Sequence, residues 1–338
     1  MSEPDRPRPP LPTPFTALFG IDHPIVQGGM QWIGRAELTA AVAEAGGLGF
    51  LTAMTQPDTD ALRREIDRCR EMTSRPFGVN ITMLPAISPP DYPGIARAIV
   101  AAGIDIVETA GSLPADVLDV LLDAGVRVLH KCTTLRHALS ARARGVHALS
   151  IDGFECAGHP GEEDVPGLVL VPRAADLLDI PFVASGGFAD GRGLAAALAL
   201  GAHGVNMGTR FLCTREAPAH ERVKQRIVAG TERDTELIFR PLRNTARVAR
   251  NTVSAEVVRR LGERPRFDAV RELVAGSRGR RVFETGDLEA GIWTVGLSQA
   301  LIHDIPTVAD LMDRLVADAA SIIGPRSPVR PAEPGAGE

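Results

Sequence analysis

Residues 180–210 read IPFVASGGFADGRGLAAALALGAHGVNMGTR. Two short apolar strands in this stretch, Pro181–Gly186 and Gly204–Gly208, end in the glycine turns SGG and MGT, and a helix of small residues lies between them at Arg192–Leu200. The N–H groups of both turns and the helix N-terminus then face one edge of a parallel sheet, where anions, most often phosphate, bind. Paired loops of this kind follow strands seven and eight of an eight-stranded βα barrel.

Six further apolar runs precede this stretch at the spacing that a barrel needs. They are nearly continuous, as expected for strands buried on both faces of a parallel sheet. Amphipathic helical patterns separate them, and several of these end in a glycine that stops a helix. The sequence therefore predicts a TIM (β/α)8 barrel. Its first six strands are Pro24–Gly29, Gly47–Ala53, Phe77–Thr82, Ile104–Ala110, Val126–Lys131 and Val146–Asp152. The helical patterns cover Arg35–Ala45, Asp58–Met72, Tyr92–Ala102, Pro114–Ala124, Thr134–Arg144 and Leu168–Leu178.

The predicted barrel occupies residues 15–229, and an added helical segment beside the barrel mouth occupies residues 230–324. Within this addition, RNTARVARN at 243–251 has no apolar helical face and is interpreted as a loop. Gly291–Leu301 and Val308–Ile323 are predicted to be helices, the second of which closes the fold.

Composition excludes several classes of partner. The chain has 338 residues, 44% of them hydrophobic, and a formal net charge of -5, so it offers no basic surface for nucleic acid. No apolar run reaches the roughly 18–20 residues that span a bilayer. We therefore expect small-molecule partners and no membrane or nucleic-acid partner. The oligomeric state, monomer or homodimer, stays open.

The ends of the chain and its cysteines indicate a reducing compartment. Residues 1–14 are proline-rich and polar and predict a disordered leader rather than a signal peptide, and residues 325–338 predict a disordered tail. The four cysteines are widely spaced, which disfavours disulfides and structural zinc. A cytoplasmic protein with no metal site is the expectation.

The carboxyl ends of the strands are where a barrel carries its chemistry. The SGG and MGT turns there predict a phosphate cradle, to which Arg192 or Arg210 could add charge. The alternative is that these glycines only permit tight turns. After the first strand, the glycines of GGM allow a flat ring to approach the backbone. Three polar residues at neighbouring strand ends could bond the edge of such a ring: Asn80, Thr82 and Lys131.

A flat, phosphorylated ligand of this kind is well described by FMN. A cation such as Lys131 near its N1/O2 edge would stabilise the anionic reduced ring. The absence of a GxGxxG sequence that opens a βαβ unit disfavours a dinucleotide domain. A lysine at the end of a strand that only reaches solvent is the structural alternative.

The loop AGHPGEED after the sixth strand contains His159, which could act as a base or as a cation near neutral pH. A purely structural histidine is the alternative. Glu162, Glu163 and Asp164 could suggest a metal, but without a paired His or Cys they predict a solvated acidic turn. Cys156 lies nearby without an adjacent base, so no nucleophile is expected.

Several motifs together resemble those of the nitronate monooxygenase-like flavoproteins, once called 2-nitropropane dioxygenases. The match runs from about Phe15 to Leu315 and is closest to the NADH:quinone reductase subgroup. Phe50 departs from it, because a smaller residue is expected there. The motifs are PIVQGGMQW, AVAEAGGLGF, FGVNIT, HKCTTLRHA, SIDGFECAGHPGEED, ASGGFADGRGLAAALALGA, NMGTRF and RNTARVARN.

This resemblance implies non-covalent FMN on a TIM barrel and a role in nitronate oxidation for the histidine that matches His159. Asn80 at the ring edge, Met207 in the MGT turn and Gly158 in the loop after the sixth strand are further candidates for cofactor binding. The positions that the resemblance itself assigns to the flavin are Gly28, Gly29, Met30, Thr82, Lys131, Asp152, Ala157, Ser185, Gly186, Gly187, Gly208 and Thr209.

Four functions are compatible with the sequence. The first is NAD(P)H:quinone reductase, in which NAD(P)H reduces FMN and a quinone reoxidises it. The second is nitronate monooxygenase, which uses O2. The third is a reductase or dehydrogenase of enoyl thioesters, for which a basic groove around arginines 240, 243, 247 and 250 would be diagnostic. The fourth is a non-catalytic FMN-binding module. The resemblance favours the first.

Overall fold

Eight parallel strands close into a barrel in the order of the sequence, which confirms the predicted TIM barrel. The computed structural model describes residues 11–84 and 89–324. Each strand lies within two residues of its predicted bounds, because glycines and polar residues delimit the apolar runs clearly. The strands are β1 Ile25–Gln27, β2 Leu48–Thr52, β3 Gly78–Met83, β4 Ile106–Gly111, β5 Arg127–Cys132, β6 Ala148–Asp152, β7 Phe182–Ser185 and β8 Val205–Met207.

Thirteen α-helices lie within the described residues, and most surround the barrel. Side chains of Asp58, Thr134 and Asp190 cap helices at the start of βα repeats, as their residue types predict. The helices are α1 Pro14–Phe19, α2 Ala36–Glu44, α3 Thr59–Met72, α4 Tyr92–Ala101, α5 Ala115–Asp123, α6 Leu135–Ala143, α7 Gly167–Leu177, α8 Gly191–Ala199, α9 Thr209–Leu212, α10 Glu221–Val228, α11 Thr252–Glu263, α12 Gly276–Thr285 and α13 Val308–Ile323.

The predicted closing helix is α13, and it packs against both α8 and α2. It therefore completes the ring of helices between the last and the first βα repeat. The Thr307 side chain caps its first turn, and residues such as Leu311 and Leu315 bury one face.

The amino end of the barrel is plugged by α1. Phe15 and Phe19 are fully buried in an apolar cluster that includes Val26, Phe50 and Ile106 from the barrel strands. Phe50, the departure from the family pattern, fills space next to Gly78, where an added Cβ would lie 2.3 Å from its ring. Phe50 thus packs in the apolar cluster at the amino end of the barrel, away from the carboxyl ends of the strands.

The predicted leader is wrong for residues 11–14, and residues 1–10 lie outside the described part of the chain. Thr13 caps α1, and its hydroxyl donates to the His203 carbonyl oxygen at 2.8 Å. A high proline content indicates disorder, but Pro14 stands at the first position of a helix, where proline is favoured. The predicted tail 325–338 also lies outside the described residues.

The added segment is not simply helical. Part of RNTARVARN, interpreted above as a loop, forms strand β10, Ala246–Ala249, which pairs antiparallel with β9, Thr235–Ile238. All four residues of β10 are buried. Arg247 can be buried among them because its guanidinium donates to the Thr235 hydroxyl at 3.0 Å. The helix predicted at Gly291–Leu301 is also wrong, since only Leu297–Leu301 is helical there, as a 3-10 turn.

Candidate functional site

A cavity of about 500 Å³ opens at the carboxyl ends of the strands. It is lined by every predicted site residue except Asn80, which lies buried beneath it. The lining therefore includes Gly28, Gly29, Met30, Thr82, Lys131, Asp152, Ala157, Gly158, His159, Ser185, Gly186, Gly187, Met207, Gly208 and Thr209.

The turn after β7 has the geometry of an anion cradle. Gly186 and Gly187 both have φ +87°, a conformation that L side chains rarely adopt. Among the described residues, the N–H groups of Gly186, Gly187 and Gly208 have no protein acceptor. Unpaired N–H groups that border a cavity are suited to bind an oxyanion.

Neither of the arginines considered for this cradle reaches it. Arg192 is exposed and pairs with Asp190, two residues earlier. Arg210 is buried away from the cavity and binds Asp304 at 3.1 Å. Within the part of the chain that the structure describes, the cradle therefore consists of backbone donors without an arginine.

Glu108 on β4 organises the polar interior of the barrel beneath the cavity. Its carboxylate accepts from the Gly29 N–H at 2.8 Å, the Asn80 amide at 2.8 Å and the Asn206 amide at 3.2 Å. The Lys131 ammonium lies 3.9 Å away. One fully buried side chain thus connects strands β3, β5 and β8 with the loop after β1.

The same network explains the glycines of GGM. A Cβ on Gly29 would lie 2.1 Å from Cγ of Asn80, and one on Gly28 would lie 2.6 Å from Oδ1 of Asn206. The sequence explains these glycines by the approach of a flat ring from the cavity side. The structure adds a requirement from below, since the amides of β3 and β8 pack directly against this backbone.

Lys131 projects into the cavity as a cation. Burial by itself lowers the pKa of its ammonium, but the carboxylates of Glu108 and Asp152 more than offset this, so the pKa is raised. Asn80 acts differently from the prediction, because its amide binds Glu108 and its oxygen accepts from the Thr82 hydroxyl at 3.0 Å. It supports the cavity floor rather than lining the cavity.

His159 lies in the cavity on a loop that the β9–β10 hairpin holds. Gly158 and Arg247 exchange two backbone hydrogen bonds, from Gly158 N–H at 3.1 Å and from Arg247 N–H at 2.6 Å. Burial lowers the pKa of His159, and the Glu162 carboxylate only partly opposes it. The imidazole is therefore mainly neutral at pH 7.

The acidic residues of this loop are not merely solvated. The carboxylate of Glu162 accepts from both the N–H and the hydroxyl of Thr245 at 2.7 Å, and Asp164 pairs with Arg240 at 2.9 Å. They bind the loop to the hairpin. Within residues 11–84 and 89–324, no group of three His, Cys, Asp or Glu side chains could hold a metal ion.

All four cysteines are buried thiols without disulfide bonds. Cys156 lines the cavity, and burial raises the pKa of its thiol, with a further contribution from Asp152. A thiol that stays protonated is a poor nucleophile. In the part of the chain that the structure describes, no helix is long and apolar enough to cross a membrane.

A second cavity, of about 950 Å³, adjoins the first. The two share a wall that contains Thr82, Lys131, Asp152 and His159. The second cavity continues past the ends of β4 and β5 to the turn of the hairpin, where Arg243 lines it. The site therefore consists of two adjoining compartments, and polar and charged groups line both where they meet.

Sequence reasoning missed Asn206, Ser150 and the roof of the cavity. Asn206 and Ser150 are bonded to each other at 3.1 Å inside the barrel. Each is a polar residue at an inward position of an apolar strand, and that alternation was the available signal. The roof includes Gly296, whose N–H donates to the Thr209 hydroxyl at 3.0 Å, and a contact so distant in sequence leaves no local pattern.

The chain is similar to several known proteins over most of its length. The chain is 32% identical to the (3aS,4S,5R,7aS)-5-hydroxy-7a-methyl-1-oxo-octahydro-1H-indene-4-carboxyl-CoA dehydrogenase of Rhodococcus jostii, over 91% of this chain and 96% of the relative. It superposes on FabK from Thermotoga maritima with a TM-score of 0.86 and 34% identity, over 93% of this chain and 97% of that one. The nitroalkane oxidase from Streptomyces ansochromogenes gives a TM-score of 0.78 and 27% identity, over 91% and 98%.

The sequence profile of one family covers nearly the whole barrel and its addition. It describes nitronate monooxygenases and matches residues 12–318, a span that includes every residue of the two-compartment site. The chain therefore belongs to the nitronate monooxygenase family and is an oxidoreductase of that family.

Proposed function

We propose that this protein binds FMN in the first cavity and acts as an NAD(P)H:quinone reductase, which passes a hydride from NAD(P)H to the flavin and then reduces a quinone. The backbone cradle of Gly186, Gly187 and Gly208 suits a phosphate monoester, and Lys131 would supply a cation to a flavin ring bound in the same cavity. FMN when bound supplies the redox chemistry, accepting a hydride and releasing its electrons to an acceptor.

The observation that carries this proposal is the second compartment. It meets the first at a wall that contains Lys131 and His159, so a nicotinamide and then a quinone can be held against whatever occupies the first cavity. Hydride transfer needs a stacked, oriented donor and no general base. The role of the protein is then to hold the donor, exclude water and compensate charge with Lys131.

Nitronate monooxygenase is the second candidate, and His159 is the observation that favours it. A neutral imidazole in the cavity can take a proton from the α-carbon of a nitroalkane. The lowered pKa of His159 counts against a second role, in which the imidazolium pairs with an anionic nitronate. The nitroalkane oxidase relative supports this candidate at 27% identity.

A CoA-thioester dehydrogenase is the third candidate, supported by the relative that is named for a carboxyl-CoA substrate. Of the four arginines that could form a basic groove, only Arg243 lines either cavity. Arg240 pairs with Asp164, Arg247 is buried against Phe154, and Arg250 bonds the Thr235 carbonyl oxygen. A groove of four arginines is therefore absent, and one of the four remains for a phosphate.

Anaerobic mixing of the purified yellow protein with NADH or NADPH tests the proposal. We expect rapid bleaching of the visible flavin band by one or both nucleotides, and return of the colour on addition of a quinone. Bleaching by neither nucleotide, together with bleaching by a nitronate, would reject the reductase in favour of the second candidate. In that case His159→Ala should abolish the reaction with neutral nitroalkanes.

A matched pair of glycine substitutions tests the FMN cradle. Gly187→Ala places a side chain on a positive-φ residue at the cavity, whereas Gly125→Ala does the same, at φ +71°, where nothing lies within 4 Å. Each should cost about 1–2 kcal/mol of stability through backbone strain. Only Gly187→Ala should also lose FMN, measured as flavin absorbance per protein. Equal flavin content in both variants would contradict the cradle.

A further inference from the structure

Two arginines line the second cavity outside the residues that it shares with the first. Arg144 caps the carboxyl end of α6, and Arg243 lies in the turn between β9 and β10. Both line the cavity, and among the described residues neither forms an ion pair with a carboxylate. We call these two residues the arginine rim.

Arg144 is held in place without being neutralised. Its side chain extends back along α6 and donates to the carbonyl oxygen of Leu113, in the loop after β4. Helix side chains point toward the N-terminus, so this direction brings the guanidinium up toward the barrel mouth. A neutral acceptor orients one edge of the guanidinium and leaves donors for a ligand.

Arg243 is exposed and has φ +52°, a strained conformation for a residue with a side chain. Arg240, three residues earlier in the same turn, has its charge compensated by Asp164 at 2.9 Å. The turn therefore contains one paired arginine and one that lines the cavity without such a partner.

Cationic side chains outnumber carboxylates in the lining of the second cavity. Glu162 contributes one negative charge there, and its two oxygens accept hydrogen bonds from the N–H and the hydroxyl of Thr245 at 2.7 Å. Asp152 lies on the shared wall with Lys131, toward the first cavity. The remaining polar lining includes the neutral side chains Thr133 and Ser140. Lys131, Arg144 and Arg243 thus stand against two carboxylates, Asp152 and Glu162, and this net positive lining favours an anion.

We infer that the arginine rim binds the diphosphate of a nucleotide-bearing substrate whose reactive end lies at the shared wall. Guanidinium groups bind phosphate oxygens through paired N–H donors, which makes arginine well suited to this ligand. A cavity of about 950 Å³ exceeds what a single nicotinamide or quinone ring needs. The inference rests on the proposed function in that this cavity receives the substrate.

ADP is the probe, because NAD(P)H and CoA both contain an adenosine diphosphate unit. We would titrate ADP calorimetrically into the FMN-loaded protein and into Arg243→Gln, Arg144→Gln and Arg222→Gln. Arg222 is exposed, lies on α10 and lines neither cavity, so its variant controls for the change in net charge. Each rim variant should bind ADP roughly tenfold more weakly, and the control should match the wild type.

Salt and the source of the diphosphate give further readouts. Binding of ADP to the wild type should weaken as ionic strength rises, because the rim is open to solvent. Two measurements on Arg243→Gln show which molecule supplies the diphosphate. A raised KM for NAD(P)H identifies the nicotinamide nucleotide, whereas a raised Kd for free CoA identifies CoA. Equal ADP affinity in all four proteins, or ADP that displaces FMN from the first cavity, would overturn the inference. ADP binding is measured without turnover. Its outcome is therefore independent of whether the protein reduces quinones, which the flavin bleaching experiment tests.

Discussion

At the scale of single residues, the site depends on a buried carboxylate more than on the residues that border the cavity. Glu108 is fully buried, yet it touches the Gly29 backbone and two strand amides and lies beside Lys131. It determines where the loop after β1 lies and compensates the charge of the cation in the cavity. We classify it as a positioning residue, because it contacts groups that would hold a ligand.

Replacing Glu108 with Gln tests this role. The variant keeps the size of the side chain but leaves Lys131 with less compensation and presents an amide to donors. Loss of one partner of a buried charge pair costs about 3–5 kcal/mol. We expect a lower free energy of unfolding in urea, a lower pKa for Lys131 and weaker FMN binding, measured by fluorescence titration.

Glu65→Gln is the matched control for this substitution. The Glu65 carboxylate is also nearly buried and accepts from the Ala36 N–H at 2.8 Å and from Arg68, but it lies on the outer helices. This variant should lose stability and keep its affinity for FMN. A Glu108→Gln protein that binds FMN as tightly as the wild type would refute the positioning role.

At the scale of elements, the β9–β10 hairpin supports the loop after β6, which carries His159. Arg247 on β10 has its guanidinium 4.6 Å from the centroid of the Phe154 ring and donates to the Thr235 hydroxyl at 3.0 Å and to the Phe154 carbonyl oxygen at 2.9 Å. Its backbone pairs with Gly158, next to His159. The hairpin and the loop thus form one unit.

Removal of the Arg247 side chain should loosen that unit. Arg247→Ala leaves the Phe154 carbonyl oxygen and the Thr235 hydroxyl without their donor, which costs about 1–3 kcal/mol for each buried group. We expect a lower free energy of unfolding and faster amide hydrogen exchange at Gly158. Arg250→Ala, at an exposed position of the same segment, removes only a long 3.4 Å hydrogen bond to the Thr235 carbonyl oxygen, so it should cost less stability and leave exchange at Gly158 unchanged. Unchanged amide exchange at Gly158 in Arg247→Ala would show that this side chain does not hold the loop to the hairpin.

The elements show where sequence reasoning works and where it fails. Strands β1–β8 were predictable, because continuous apolar runs bounded by glycine leave few alternatives. β10 was not, because Arg247 interrupts its apolar pattern and is tolerated only through partners supplied by β9 and the loop after β6. The predicted cavity residues came mostly from turns, whose glycines carry a local signal. Asn206 left only the weaker signal of a polar residue in an apolar strand, and Gly296 reaches the site through a contact that is distant in sequence.

At the scale of the whole molecule, buried neutral histidines make the fold sensitive to acid. Burial, with a contribution from the nearby Arg144, lowers the pKa of His130 to about 4, while its Nδ1 lies 2.8 Å from the Thr109 hydroxyl oxygen. Burial also lowers the pKa of His23, His159 and His203. All of these shifts disfavour the protonated form in the folded state.

The sign of the pH dependence follows. Below pH 6.5 His130 is protonated in the unfolded chain, whereas in the folded protein it stays neutral down to about pH 4. The unfolded state therefore binds more protons in this range, and stability is lost as the pH falls from 6.5 to about 4. His130 alone accounts for about 3 kcal/mol of that loss. Urea unfolding at several pH values should therefore give a flatter profile for His130→Gln than for the wild type.

His303→Gln, at an exposed position on the surface, is the control for this series. Its profile should run parallel to that of the wild type. A His130→Gln protein whose stability falls as steeply with acid as that of the wild type would show that other groups dominate the acid response.

The position of α13 has a consequence for how the protein is made. All eight strands leave the ribosome well before Val308–Ile323, yet the apolar grooves of α8 and α2 stay uncovered until that helix arrives. During that interval the nascent barrel exposes a seam to which chaperones or other nascent chains can bind. Slow translation between β8 and α13 would lengthen this exposure, so codon choice in that interval bears on the yield of folded protein.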